Sequence, residues 1–190
     1  MSALPDIPVN PPNLWRLDTP GASGGVGSAR PGHQQKYFMV STDCHANEPA
    51  DLWAKRIEPE YRERLPRITT DEHGVKWRVS EGYRPDRLRI SEFEGEDKAR
   101  AEAGADPLDR LVDHDRDGIE AEVIFPNKGL AMWATPDSKF AMAQCRVWNT
   151  WAWEVFGEHN ARLSPVASIA TGDLEGSMAE IERTAKLGFR

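Results

Sequence analysis

Asp43 and His45 carry the sharpest chemical signal in this sequence. They stand two positions apart where a short apolar and aromatic run over residues 36–41 gives way to Thr42-Asp43-Cys44-His45. On a strand, that spacing points both side chains to one side. A carboxylate beside an imidazole makes half of a divalent metal site and suits zinc or a similar ion. The same pair also suits a plainer role, capping a strand end and bonding to loop backbone. D-x-H is short and does not decide between the two.

Other residues attract chemical readings that mostly fail on context. Asp113-His114-Asp115-Arg116-Asp117-Gly118 matches the opening half of a calcium-binding loop. Counted from Asp113, however, the closing glutamate position falls on Ile124 inside an apolar run, so these acids are expected to end a helix and lead into a strand. His33, His73 and His159 fall in arm, turn and helix-end positions and read as surface residues. Trp148, Trp151 and Trp153, with Trp133 nearby, imitate an aromatic cofactor box, but Trp148 and Trp151 share a helix face and are expected to pack on a sheet. Gly24-Gly25-Val26-Gly27 follows no strand and opens no helix, which removes a nucleotide reading. Trp53 and Asn127 are candidates to face a substrate, each with a structural role as the alternative. Glu48 and His114 are the next residues to consider if a metal site needs more ligands.

The elements that would position Asp43 and His45 form an α/β alternation. Residues 36–41 suit a buried strand, and residues 121–126 and 164–170 suit two more. Helices are expected over residues 106–115, 136–156 and 173–187, each opened by Asp or Pro signals, the last stopped by Gly188. Their sheet-facing stripes would be Leu108, Leu111 and Val112 in the first helix, and Leu174, Met178, Ile181 and Ala185 in the last. Strand, helix, strand, helix, strand, helix implies a parallel sheet of βαβ units with sites at the carboxyl ends of its strands. Between the first strand and the first of these helices, residues 47–104 form a long charged excursion. It carries a short helix over residues 51–56 and a hairpin over residues 72–79 turning at Gly74. Residues 1–35, rich in Pro and Gly and without apolar periodicity, read as a flexible arm.

Bulk properties narrow the partners. The 24 basic and 31 acidic residues give a formal charge of −7, and the basic residues are interleaved with acids, which argues against nucleic acid or an anionic membrane as partner. Cys44 and Cys145 are far apart and in no metal-finger spacing, pointing to a reducing, cytoplasmic setting. No stretch approaches the ~18 apolar residues of a membrane span. An unclosed parallel sheet invites pairing, so a homo-oligomer is among the expected states.

Taken in order, the motifs resemble the amidohydrolase 2 family, which includes aminocarboxymuconate-semialdehyde decarboxylase. The resemblance is carried by Asp43-Cys44-His45-Ala46-Asn47-Glu48-Pro49 with Asp51-Leu52-Trp53, by the stretch from Arg110 to Val123, by Asn149-Thr150-Trp151, and by Arg162-Leu163-Ser164-Pro165-Val166-Ala167. It covers roughly residues 37–190. It implies the N-terminal part of a (β/α)8 barrel, about three βα units, with residues 47–104 inserted over the barrel mouth. It further implies one divalent metal, zinc by its ligand chemistry, with Asp43 and His45 matching the first-strand ligands, and a small-molecule substrate. The family's remaining ligands and its general acid–base come from a mid-barrel histidine and a last-strand aspartate, which have no counterpart in these 190 residues. No catalytic residue is assigned here, and both hydrolysis of a small carboxylic, amide or ester substrate and metal-dependent decarboxylation of an aromatic or unsaturated acid stay open. So does a catalytically incomplete fragment or interaction module.

Overall fold

The computed structural model describes residues 39–88, 94, 95, 98, 106–117 and 119–189. The arm read over residues 1–35 lies outside them. The chain runs β1 (Val40–His45), α1 (Leu52–Arg56), a 3-10 segment (Pro59–Arg64), β2 (Arg67–Thr70), β3 (Lys76–Val79), β4 (Asp86–Arg87), α2 (Pro107–Asp117), β5 (Ala121–Phe125), a 3-10 segment (Lys128–Ala131), α3 (Ser138–Phe156), β6 (Leu163–Pro165) and α4 (Leu174–Leu187). β1, β5 and β6 form the expected parallel sheet in that order, with Val40 opposite Ala121, His45 opposite Phe125 and Glu122 opposite Leu163. β1 ends on His45, so the Asp43/His45 pair lies at the carboxyl end of the first strand, as expected.

α3 is the hub of the core. Asp137 caps its first turn by accepting from the Lys139 and Phe140 N–H groups. Phe140, Met142, Cys145, Trp148, Ala152 and Phe156 are all buried along it, because one side meets the sheet and another meets α1 and α4. Trp148 and Trp151 are both buried, with ring centroids 5.6 Å apart. The Trp148 indole donates to the Val166 carbonyl at 2.9 Å. Trp153 lies apart from them, 5.1 Å from the Phe189 ring.

β6 is shorter than its sequence suggests, three residues instead of seven, since beyond Val166 the chain loses its ladder to β5. Side chains replace that ladder. Asn149 of α3 accepts from the Ser168 N–H at 2.7 Å and donates to the Ser168 carbonyl at 2.9 Å, pairing with it as a neighbouring strand would. Its amide also donates to the buried Glu180 carboxylate of α4 at 2.7 Å, and Ser177 donates to the Ala170 carbonyl at 2.8 Å.

This polar lacing corrects the expected face of α4. Ser177, Glu180 and Thr184 are the buried residues, whereas Leu174 (73% exposed), Met178 and Ile181 face outward. Backbone groups left without a ladder need hydrogen bonds, and they draw the polar stripe inward. α2 departs from expectation in the same way. Leu108 and Val112 are exposed, Leu111 packs against the core, and His114 is buried beside it.

The insertion after β1 contributes the expected hairpin, extended by a third antiparallel strand in the order β2-β3-β4. Asp71 shapes its turn, accepting from the His73 and Val75 N–H groups and from the Trp77 indole. Arg64 anchors this subdomain to α3. Its guanidinium lies 4.3 Å from the Phe140 ring centroid, bonds Glu81 through two nitrogens, and reaches the capping carboxylate of Asp137 at 2.8 Å. At Gly82 (φ +82) a Cβ would fall 1.8 Å from the Ala134 carbonyl oxygen, so the turn is seated directly on the loop that follows β5.

Asn149→Ala should destabilise the protein by roughly 3 kcal/mol in a denaturant titration, since it leaves both Ser168 backbone groups without their partner and takes one donor from the buried Glu180, which keeps Arg183.

Candidate metal site

The carboxyl end of β1 presents Asp43 and His45 on the face shared with Phe125, whose ring centroid is 6.1 Å from that of His45. The imidazole is held at one nitrogen: Nδ1 lies 2.8 Å from the Pro126 carbonyl, which makes it the N–H donor and leaves Nε2 to other partners. Nε2 faces Asp43 Oδ1 at 3.3 Å. Two ligands each about 2.0–2.1 Å from a tetrahedral ion lie about 3.3 Å apart, so the pair has the separation a shared zinc requires. A carbonyl on the far ring nitrogen is the usual support of a ligating histidine. The side chains are 84% and 38% exposed, so an ion has access to both. The residues fit a divalent ion as two of its ligands. Among the described residues, no group of three or more His, Cys, Asp or Glu side chains could hold a metal.

The Pro126 carbonyl is itself positioned by the loop that follows β1. Glu48, buried there, accepts from the N–H groups of Asn127 at 2.8 Å, Lys128 at 3.0 Å and Gly129 at 3.3 Å, capping the short 3-10 segment after β5. Lys128 Nζ returns to the Asn47 side chain and the Glu48 carbonyl. Glu48 is thus engaged with backbone. His114 lies among residues of the opposite sheet face. Neither joins Asp43 and His45.

On that opposite face Glu122 is the second residue of β5, the central strand of the sheet, with a side chain only 4% exposed. Its two oxygens meet Arg110 Nε at 2.7 Å and His114 Nε2 at 2.9 Å, both from α2, where positions 110 and 114 share a helix face. Burial pushes the Glu122 pKa up, but the His114 and Cys44 hydrogen bonds and the Arg110 charge outweigh it, leaving the carboxyl below its ordinary range. Cys44 moves the other way: burial, then the Glu122 hydrogen bond, raise its thiol. The Arg110 guanidinium continues past Glu122 and donates to the His45 carbonyl at 2.7 and 3.3 Å.

The two substrate candidates are placed differently. Trp53 donates its indole N–H to the Gln144 carbonyl of α3 at 3.1 Å and lies against Gly129, where a Cβ would come 3.0 Å from its ring. Asn127 is exposed beyond the end of β5, with its backbone N–H on Glu48. Trp133, read only as part of a spurious tryptophan cluster, is part-exposed and donates to the Ile169 carbonyl at 2.7 Å, joining the loops after β5 and β6. Arg110 and Glu122 received no role from sequence, although a signal was there: a glutamate at an alternating position of the buried run Ala121–Phe125 must have a partner.

No protein-family profile matches this sequence, and no curated protein sequence matches it either. Among solved structures, the fold is similar to that of an amidohydrolase from Mycobacterium avium subsp. paratuberculosis K-10, with a TM-score of 0.61 at 15% identity, over 80% of this chain and 48% of that one. The chain therefore has a partial amidohydrolase fold and spans about half the length of that relative. No described helix is long and apolar enough to cross a membrane.

Because the folded Glu122 pKa is lowered, its contribution to stability is fully present above the ordinary glutamate value of 4.5 and is lost as pH falls through the folded value. Glu122→Gln should therefore be about 3 kcal/mol less stable than wild type at neutral pH, with the gap narrowing steadily below pH 4.5 in urea titrations.

Proposed function

We propose that Asp43 and His45 are the first two ligands of a divalent metal centre, zinc by its ligand chemistry, in a metal-dependent hydrolase of the amidohydrolase 2 type acting on a small organic substrate with a carboxylic, amide or ester group. The observation that carries this reading is the His45 geometry: Nδ1 fixed on the Pro126 carbonyl, Nε2 turned to Asp43 Oδ1 at 3.3 Å. A bound ion would supply a Lewis acid and an acidified water. The chain's own part is to hold two donors at the spacing one ion needs, on a strand end, the usual place for sites in parallel α/β folds. Asp43 as first ligand brings a negative charge, which leaves the ion less electrophilic than a second imidazole would. The three-stranded insertion, seated through Gly82 on the loop after β5, is read as a cover on the same end of the sheet.

A second reading concerns completeness. Two ligands are fewer than the three that catalytic zinc sites draw from protein, and the likeness extends over half of the relative. We read the remaining ligands and the general base as supplied from outside the described residues, so that Asp43 and His45 by themselves bind metal without turnover.

The test is a cobalt or zinc titration followed by histidine side-chain NMR. A weak one-to-one complex is expected, with the His45 Nε2 resonance moving while its Nδ1–H persists. Asp43→Ala and His45→Ala should each weaken binding by about tenfold or more. Equal affinity in wild type and His45→Ala would sink the reading.

A further inference from the structure

We infer that Arg110 is a positioning residue for His45, setting the main chain from which the imidazole is presented. The inference rests on the reading of Asp43 and His45 as metal ligands.

In a parallel ladder, alternate residues turn their backbone groups to alternate sides. The Ala46 N–H bonds the Phe125 carbonyl of β5, and His45 pairs with Phe125, so the N–H and C=O of His45 itself face away from β5. β1 is an edge strand among the described residues, and no strand meets that carbonyl. Arg110 does, through both terminal nitrogens. The guanidinium is itself held: Nε lies 2.7 Å from Glu122 Oε1, whose other oxygen is taken by His114. Arg110 and Glu122 side chains are 14% and 4% exposed, so this is an anchor in the body of the protein. His45 is thereby fixed at two points, its carbonyl by Arg110 and its Nδ1 by the Pro126 carbonyl, which leaves Nε2 a single direction. The β1–β5 register shifts between Ser41 and Cys44, just before this point, so the ladder alone does not enforce the position of His45.

The sign of the effect on metal binding separates positioning from charge. Arg110 is a cation near the site, and electrostatics alone predicts that removing it tightens binding of a metal ion. Positioning predicts the reverse. The experiment compares wild type, Arg110→Met, Arg110→Lys and Asn149→Ala, the last a destabilised control that touches neither β1 nor α2. It reads the His45 ring Nδ1–H in proton–nitrogen spectra without metal, then cobalt affinity by titration. Expected is loss or broadening of the ring proton and about tenfold weaker cobalt binding in Arg110→Met, with recovery in Arg110→Lys and no change in Asn149→Ala. An unchanged ring proton or tighter cobalt binding in Arg110→Met would overturn the inference, as would an equal loss in Asn149→Ala. If Arg110→Met does not fold, Glu122→Gln releases the guanidinium from its anchor, and an unaltered ring proton there overturns it equally. Should the ring proton respond as expected while wild type binds no cobalt, the ligand reading fails and the positioning of His45 stands.

Discussion

A dehydrated carboxylate on the central strand of a sheet has to be answered, and Glu122 is answered from two directions. Leaving an ionised group 4% exposed without partners would cost several kcal/mol, so α2 is obliged to bring Arg110 and His114 down onto β5, while β1 brings Cys44. That requirement fixes the helix against the seam of two strands. A matching clamp lies near the other end of α2, where Arg162 bonds Asp115 and the carbonyls of Ile119 and Glu120. With the helix pinned at both ends, the tip of β1 has little freedom, and the two faces of one strand become linked: a charge network behind it, two candidate ligands in front.

The rest of the core is organised by α3, which carries apolar side chains to the sheet and an amide to the polar seam behind β6. Asn149 shows how one side chain can substitute for a strand, presenting a donor and an acceptor to Ser168 in the arrangement of a backbone neighbour. On the other side of α3, Arg64 packs over Phe140 and gathers Glu81 and Asp137, so the inserted sheet rests on the helix cap instead of floating over solvent. The Asp137 carboxylate serves cap and anchor together, and its hydrogen bond from Arg64 and then those from the helix backbone hold its pKa below the ordinary range.

Much of the architecture was legible. The alternation of apolar runs with capped periodic segments located three strands and three helices, and Asp137, Asp173 and Gly188 marked helix ends where the structure has them. The failure of the calcium pattern was legible too, since Ile124 cannot be a ligand, and the structure spends His114 and Asp115 on Glu122 and Arg162. What misled was amphipathicity. In α2 and α4 the apolar spacing was genuine, but spacing identifies a stripe and not its neighbour. The inward stripe was decided by unpaired loop carbonyls in one case and by Glu122 in the other, and neither is visible until strands are in register. The candidate site was half legible for a related reason. Asp43 and His45 are local in sequence, whereas the Pro126 carbonyl and Arg110, which fix His45, lie 81 and 65 residues away.

The outward stripe of α4 gives the molecule a thermal character that its net charge of −7 conceals. Leu174, Met178 and Ile181 form an oily strip in contact with water, and the free energy gained by covering such a strip grows as a solution is warmed and weakens as it is cooled. Excluded salts such as sulfate act in the same direction as heat. The like charges of the chain oppose contact between copies, and added electrolyte shortens their reach to about 8 Å near physiological strength. Cold, dilute buffer therefore favours dispersed chains, and warm, salted buffer favours whatever surface can lie against this helix.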